Sequence, residues 1–472
     1  MPSAYVIGSG PNGLTAAITL AKAGIHTTVI EAQSTIGGGT RSMPLTLPGF
    51  VHDVCSAVHP LAVSSSVFST FPLAEHGLEW IWPATPMAHV LEDGSAVCLE
   101  KSIADTCSQL GSDGARYRRW VEPFVKRWDD LKTEILRPIH LPAHPLLLAR
   151  FGILALGPAS GVARALFRTP NARALFAGLA AHSLLPLDQW GSAAVGWVLA
   201  IAGHAVGWPI PRGGSQSIAN ALASYFQSLG GCIVLNQTVQ SVNELKEADV
   251  ILCDVSPRQL LHLAGHRFPE RFCRTLEAYR YGPGVFKMDW ALAHPIPWKD
   301  SRCTKAGTVH LGGSLETVLK SERAPKENRV TDKPFVLLSQ PSLFDSTRAP
   351  RGQHTAWAYC HVPHGSTQDM TDRIEAQIEQ AAPGFRASIL ATHTRNTHEL
   401  EKHNANLIGG DINGGQLDLR QLFLRPTRRL YRTPQPLLYL CSASTPPGGG
   451  VHGLCGYYAA TSALNDMKQA GL

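Results

Sequence analysis

Four glycine-rich turns and two histidines carry the residue types and spacings through which this chain could do chemistry. The first turn, Gly8-Ser9-Gly10-Pro11-Asn12-Gly13, leads out of the apolar run 4–7 and into 14–23, and Glu31 closes the apolar stretch 27–30. Gly8 permits a sharp turn, Gly10 lets backbone amides approach a pyrophosphate, and Gly13 lets a helix lie close on a strand. A helix starting there offers unpaired N–H groups and partial positive charge to phosphates. Glu31 is placed to accept hydrogen bonds from a ribose diol and would repel a 2′-phosphate. The plainer alternative is a glycine turn that packs strand on helix and holds no ligand. Alone, the cradle is open to NAD or FAD.

The second turn, Gly37-Gly38-Gly39-Thr40-Arg41-Ser42, comes shortly after the acid. Arginine forks onto phosphate oxygens, so Arg41 beside Gly38, Gly39 and Thr40 suits a second pyrophosphate contact. A flexible surface loop would leave Arg41 without a role. The third, Pro211-Arg212-Gly213-Gly214-Ser215, exposes backbone at Gly213 and Gly214 that can lie against a flat ring. The fourth, Thr445-Pro446-Pro447-Gly448-Gly449-Gly450-Val451-His452-Gly453, precedes the last helical stretch. Hydride reaching N5 of a flavin leaves negative charge at N1 and O2, which backbone N–H groups at a helix start can hold. These later turns make sense around a flavin, so FAD is the expected cofactor. His452, beside the last glycines, and His59, in Cys55-Ser56-Ala57-Val58-His59-Pro60, are the candidate catalytic acid–base groups. The competing use of each imidazole is a backbone hydrogen bond, which is favoured for His59. Asp53 is read as ordering its loop.

The elements that must position these residues alternate. Residues 4–7 and 27–30 read as strands around a helix over 14–23, stopped by Gly24. A helical region includes 114–136. Residues 214–229 read as a helix closed by Gly230-Gly231, and 232–235, 238–242 and 249–253 as strands. Residues 283–293, 335–340 and 355–362 alternate like strands of a second sheet. Residues 372–382 form an amphipathic helix stopped by Pro383-Gly384, and a strand at 437–441 precedes a closing helix over 453–467.

The bulk numbers set limits. At 472 residues, two interleaved domains are expected, and 44% hydrophobic with 17% charged residues describes a large core. The net charge of +6 is mild, its basic clusters read as solvated faces, and no nucleic-acid module accompanies them. Ten scattered cysteines form no CxxC pair, so neither a metal site nor a dithiol centre is expected. Reduced thiols, and a chain opening directly on a core strand, fit a cytoplasmic location. Residues 138–211 carry only Arg150, Arg164, Arg168, Arg173 and Asp188 as formal charges. Such helices are interior, line a lipophilic ligand site, or meet a membrane. The stretch 146–167 suits peripheral bilayer docking or burial in a homodimer.

The chain resembles the phytoene dehydrogenase-like FAD-dependent oxidoreductases, in the branch related to pyridine nucleotide-disulfide oxidoreductase domain-containing protein 2. The resemblance rests on VIGSGPNGLTAAITLAKAG (6–24), the GGGTRS turn, LPGFVHDVCSAVHPLA (47–62), PLAEHGLEWI (72–81), PRGGSQSIANALA (211–223), IEAQIEQAAPGF (374–385) and LYLCSASTPPGGGVHGLCGYYAA (438–460). It implies an α/β fold: a glutathione-reductase-type, FAD-binding Rossmann domain assembled from discontinuous segments 1–70, 209–265 and 406–472. Segments 71–208, largely helical, and 266–405, sheet and helix, would form an inserted α+β substrate domain.

It further implies that Gly8, Gly10, Pro11, Asn12 and Gly13 hold the diphosphate, Glu31 and Ala32 the adenosine ribose, and Arg41 the diphosphate region. The Val239 backbone would meet the adenine edge, and Ser442, Gly449, Gly450 and Val451 would sit near the isoalloxazine. Ser442 and Ser444 stand where relatives commonly have glycine, and Pro446 where carotenoid desaturases often have histidine. The implied activity is hydride movement between a carbon of a small lipophilic substrate, isoprenoid or natural-product in kind, and flavin N5, with oxygen or a quinone as electron acceptor. An amine oxidase, a redox-neutral FAD-dependent isomerase and a prenyl-binding escort protein of the same fold are the alternatives.

Overall fold

A computed structural model describes residues 2–471. Its first sheet has five parallel strands, in the order Leu438–Leu440, Val250–Cys253, Ser3–Ile7, His26–Ile30, Cys232–Val234. The chain therefore visits this sheet three times. Helix Pro11–Lys22 begins with proline at its first position, where a missing N–H costs nothing, and buries Leu14, Ala17 and Ile18 against Val6 and Val29. Helices Gln216–Ser228 and Leu454–Gln469 share that core. Gly456 allows the closing helix to cross the first one, since a β-carbon there would lie 1.9 Å from the Asn12 carbonyl oxygen.

The second sheet has seven strands, in the order Ile389–Arg395, Gly284–Leu292, His354–Val362, Val336–Ser339, Ala306–Leu311, Thr85–Val90, Ala96–Leu99. The pairing of Ala306–Leu311 with Thr85–Val90 is parallel and the others are antiparallel. Helix Thr371–Ala381 covers one face through Ile374 and Ile378 against Met288 and Trp290. The other face, with Leu337 and Val97, meets helices Pro170–Ala181 and Ala193–Ala205. Strands expected around 283–293, 335–340 and 355–362 are all present here.

One reading changes. Residues 238–241 form no strand: Ser241 caps a short 3-10 helix, Val242–Leu245, with Glu244 closing a capping box. The region 114–136 is two helices, Gly114–Val125 and Trp128–Ile135. In the charge-poor segment, Pro170–Ala181 and Ala193–Ala205 are core helices, whereas Pro145–Ala155 leaves Leu146 86% and Ile153 77% exposed, with Leu141 before it 95% exposed. No single helix among the described residues is long and apolar enough to cross a membrane; Pro145–Ala155 and Ala159–Leu166 meet at 98°.

Candidate active site

The glycine cradle is built tightly. Gly8 has φ +100°, and a β-carbon on Gly13 would fall 2.1 Å from the Gly8 carbonyl oxygen. Gly10 caps the helix without any side chain of its own, and the Asn12 amide stays available. Glu31 is buried and accepts from Ser9 N–H at 3.0 Å, Ser9 Oγ at 2.5 Å, Gln33 N–H at 2.9 Å and Arg41 Nη2 at 3.1 Å. Arg41 also donates through Nε and Nη2 to the Thr35 carbonyl. Arg41 thus anchors Glu31 and spends two of its three nitrogens on protein; burial pulls its pKa down against the pull of Glu31.

A single cavity of about 630 Å³ passes this cradle. Gly8, Gly10, Pro11, Asn12, Glu31, Ala32, Gly38, Gly39, Thr40, Arg41, Val239, Ser442, Gly450, Val451 and His59 all border it. Gly13 lies beneath it, with its N–H given to Asp254. Three more expected glycines lie off it. Gly213 donates its N–H to Asp345, Gly214 fits under Ser42 and Asp53, and Gly449 packs on Asn413. Neither Gly213 nor Gly214 therefore presents backbone to a ring in the cavity, because the buried carboxylates of Asp345 and Asp53 tie their loop to the second sheet's connections.

The histidines separate. His452 is buried outside the cavity, and its Nδ1 accepts the Leu454 N–H at 3.1 Å, capping the closing helix. Burial pushes its pKa down to about 4. It is a structural cap rather than an acid–base group, since the following helix needs an acceptor where Gly453 supplies no side chain. His59 does face the cavity. Ser215 Oγ gives its one proton to the Ser56 carbonyl, so His59 Nε2 donates to Ser215 at 2.8 Å and Nδ1 keeps a lone pair. Burial pushes His59 to about 4 as well. Asp53 orders its loop, accepting from Ser42, Ser215 N–H and Arg348.

Other functional candidates escaped the sequence reading. Asp254, buried at the end of Val250–Cys253, points its carboxyl at the cradle and accepts from the Gly13 N–H; burial pushes its pKa up to about 7, well above the ordinary carboxylate range. An acid ending a third parallel strand repeats the placement of Glu31, and that was a readable signal. One cross-strand row was not readable. Arg395, Lys287, Tyr359, Leu337, His310 and His89 lie opposite one another in successive strands, hence on one face. Of these, Lys287, Tyr359 and Leu337 border the cavity. Lys287 is buried, paired with Asp289, and lies 5.7 Å from the Trp357 ring centroid. Trp357 in turn donates to the Cys55 carbonyl, which ties the His59 loop to the sheet. All ten cysteines are unpaired, and no cluster of three or more His, Cys, Asp or Glu suited to a metal occurs among the described residues.

A parallel sheet, a glycine turn at a helix start and an adjoining cavity define a Rossmann-type dinucleotide-binding fold. Residues 6–71 match the family of NAD(P)-binding Rossmann-like domains. The chain's homologues over nearly its full length include pyridine nucleotide-disulfide oxidoreductase domain-containing protein 2 of Rattus norvegicus, 26% identical across 98% of this chain and 94% of the relative. They also include a lycopene-forming phytoene desaturase of a Paracoccus species, 24% identical across 99% and 98%. Among solved structures, an oxidoreductase from Methanosarcina mazei shares the fold with TM-score 0.68 at 14% identity, covering 98% of this chain and all of that one. Putrescine oxidase bound to putrescine shares it with TM-score 0.63 at 15% identity, covering 99% of each.

Proposed function

We propose that this chain is an FAD-dependent oxidoreductase of the dehydrogenase or desaturase type, acting on a lipophilic substrate. The observation that carries this reading is the single cavity, which joins the glycine cradle to an apolar chamber walled by Leu184, Leu199, Trp208, Leu337 and Trp357. FAD, when bound, supplies the hydride acceptor or donor. The Gly10 and Asn12 amides and the remaining Arg41 nitrogen would hold its phosphates. Glu31, fixed by Arg41 and Ser9, would orient the ribose, and Val239 would meet the adenine. Ser442, Gly450 and Val451, at the far end, would border the ring. The apolar walls keep water from the reacting carbon. His59 Nδ1 is the side-chain site for the accompanying proton, and its low basicity suits a strongly acidic proton.

The three visits to the parallel sheet support a glutathione-reductase-type domain of segments 1–70, 209–265 and 406–472, with 71–208 and 266–405 as the substrate domain. Oxygen or a quinone is the proposed electron acceptor. An amine oxidase is disfavoured because, among the described residues, the acids that border the cavity are Glu31 and Asp254 at the glycine cradle, and none borders the apolar chamber. The purified protein should be yellow with flavin absorption that bleaches anaerobically with an apolar substrate; a colourless protein that FAD cannot reconstitute refutes the reading. Leu141, Leu146 and Ile153, exposed near Arg150, are the proposed bilayer contact. Wild-type protein should float with anionic liposomes, and Leu146→Glu/Ile153→Glu should not; a dimer that ignores liposomes would assign this surface to self-association.

A further inference from the structure

The apolar chamber has a polar spot at His182 that a hydrocarbon could not satisfy. His182, just after helix Pro170–Ala181, lies on the cavity wall beside Trp208. Its Nε2 is 2.9 Å from Nε2 of His310, and no protein group among the described residues takes its Nδ1. Behind it, His310 and His89 stand opposite each other on paired strands, with ring centroids 6.0 Å apart. His89 Nε2 lies 2.7 Å from the Gly313 carbonyl, which can only accept, so that nitrogen carries the proton. Gly178, one turn before His182, makes the room: a β-carbon there would lie 2.3 Å from His89 Nδ1 and 2.8 Å from His310 Nδ1. The rings are thus packed against backbone, and His182 is held with one nitrogen toward the chamber.

The surroundings specify what can meet that nitrogen. Glu322 is bound to His361 Nδ1 through one carboxylate oxygen, and Lys287 is bound to Asp289. Each of these two charges already has a counter-charge or imidazole partner, and burial holds the rings neutral, taking His182 down to about 3 and His310 well below its usual range. A neutral imidazole can donate or accept, depending on which nitrogen of the His182–His310 pair holds the shared proton. A hydrocarbon filling the chamber would strand His182 Nδ1 away from water, a loss a hydrogen-bonding ligand avoids.

We infer that His182, backed by His310, is a recognition site for an uncharged oxygen function, hydroxyl or carbonyl, on an otherwise apolar substrate. This rests on the oxidoreductase reading for the substrate's fate but not for its binding. The test is calorimetric titration of the purified holoprotein with 1-decanol, 2-decanone, decylamine and decane. Wild type should bind the alcohol and ketone about tenfold tighter than decane or the amine. His182→Phe should abolish that preference by weakening the oxygenated ligands, while His182→Gln keeps most of it. Equal binding of decanol and decane by wild type, tighter binding of the amine, or a preference unchanged in His182→Phe would overturn the assignment. If His182→Phe does not fold, the ¹⁵N signal of His182 Nδ1 in wild type decides: it should shift on adding decanol and not decane, and an unmoved signal refutes the site. Loss of flavin absorption would refute the oxidoreductase reading and leave these binding results standing.

Discussion

Asp254 carries the sharpest prediction at the scale of single residues. Its native pKa of about 7 lies above the ordinary 3.8, because it is buried; Gly13 N–H opposes that shift and Glu31 adds to it. A raised acid pKa stabilises the fold fully below 3.8, and that contribution is lost as pH rises toward 7. Asp254→Asn should therefore gain stability relative to wild type as pH rises through that window, reaching the equivalent of a few kcal/mol. Thermal melts of both proteins from pH 4 to 8 check it; parallel curves would exclude an ionising Asp254. The same variant should retain dinucleotide at pH 8 better than wild type, because an ionised carboxylate beside the phosphate site is removed. At His59 and His452 the difference is in what each ring touches. His452→Ala should cost about 1–2 kcal/mol through the lost cap and leave any flavin spectrum unchanged. His59→Ala should slow anaerobic bleaching without loss of bound flavin, read by stopped-flow absorbance.

At the scale of elements, the crossing of Pro11–Lys22 with Leu454–Gln469 is the tightest joint. Gly456→Ala should lower stability by about 3 kcal/mol, seen as a reduced melting temperature, because the added carbon meets the Asn12 carbonyl oxygen. The same joint explains what could be read from sequence. The cradle was legible from Gly8 to Glu31 because strand, turn, helix and acid are consecutive. The Gly450–Val451 end was legible because a glycine run before a helix has few other uses. Gly213 and Gly214 looked equally suited, but glycine there serves close packing under Asp53, and only the fold reveals which side of a glycine faces a ligand. The His89–His310–Tyr359–Lys287 row depends on strand register between segments up to hundreds of residues apart, which no local pattern encodes.

The whole molecule is expected to be acid-labile well before its carboxylates titrate. His52, His59, His89, His204, His403 and His452 fall to about 4, and His182 to about 3, each chiefly through burial. A lowered histidine pKa stabilises fully above 6.5 and loses that contribution as pH falls toward 4, because the unfolded chain takes up protons the native one refuses. Seven histidines outweigh the opposite trend of Asp254, so the melting temperature should drop steeply from pH 6.5 to 4; a flat profile there would contradict neutral burial of these rings. The edge strand Leu438–Leu440 bears on a different matter, the order in which the molecule is made. Translation reaches Leu438–Leu440, Gly450 and the closing helix about four hundred residues after Glu31. A nascent chain therefore carries the glycine cradle long before it carries Gly450 and Val451, the residues that border the far end of the same cavity.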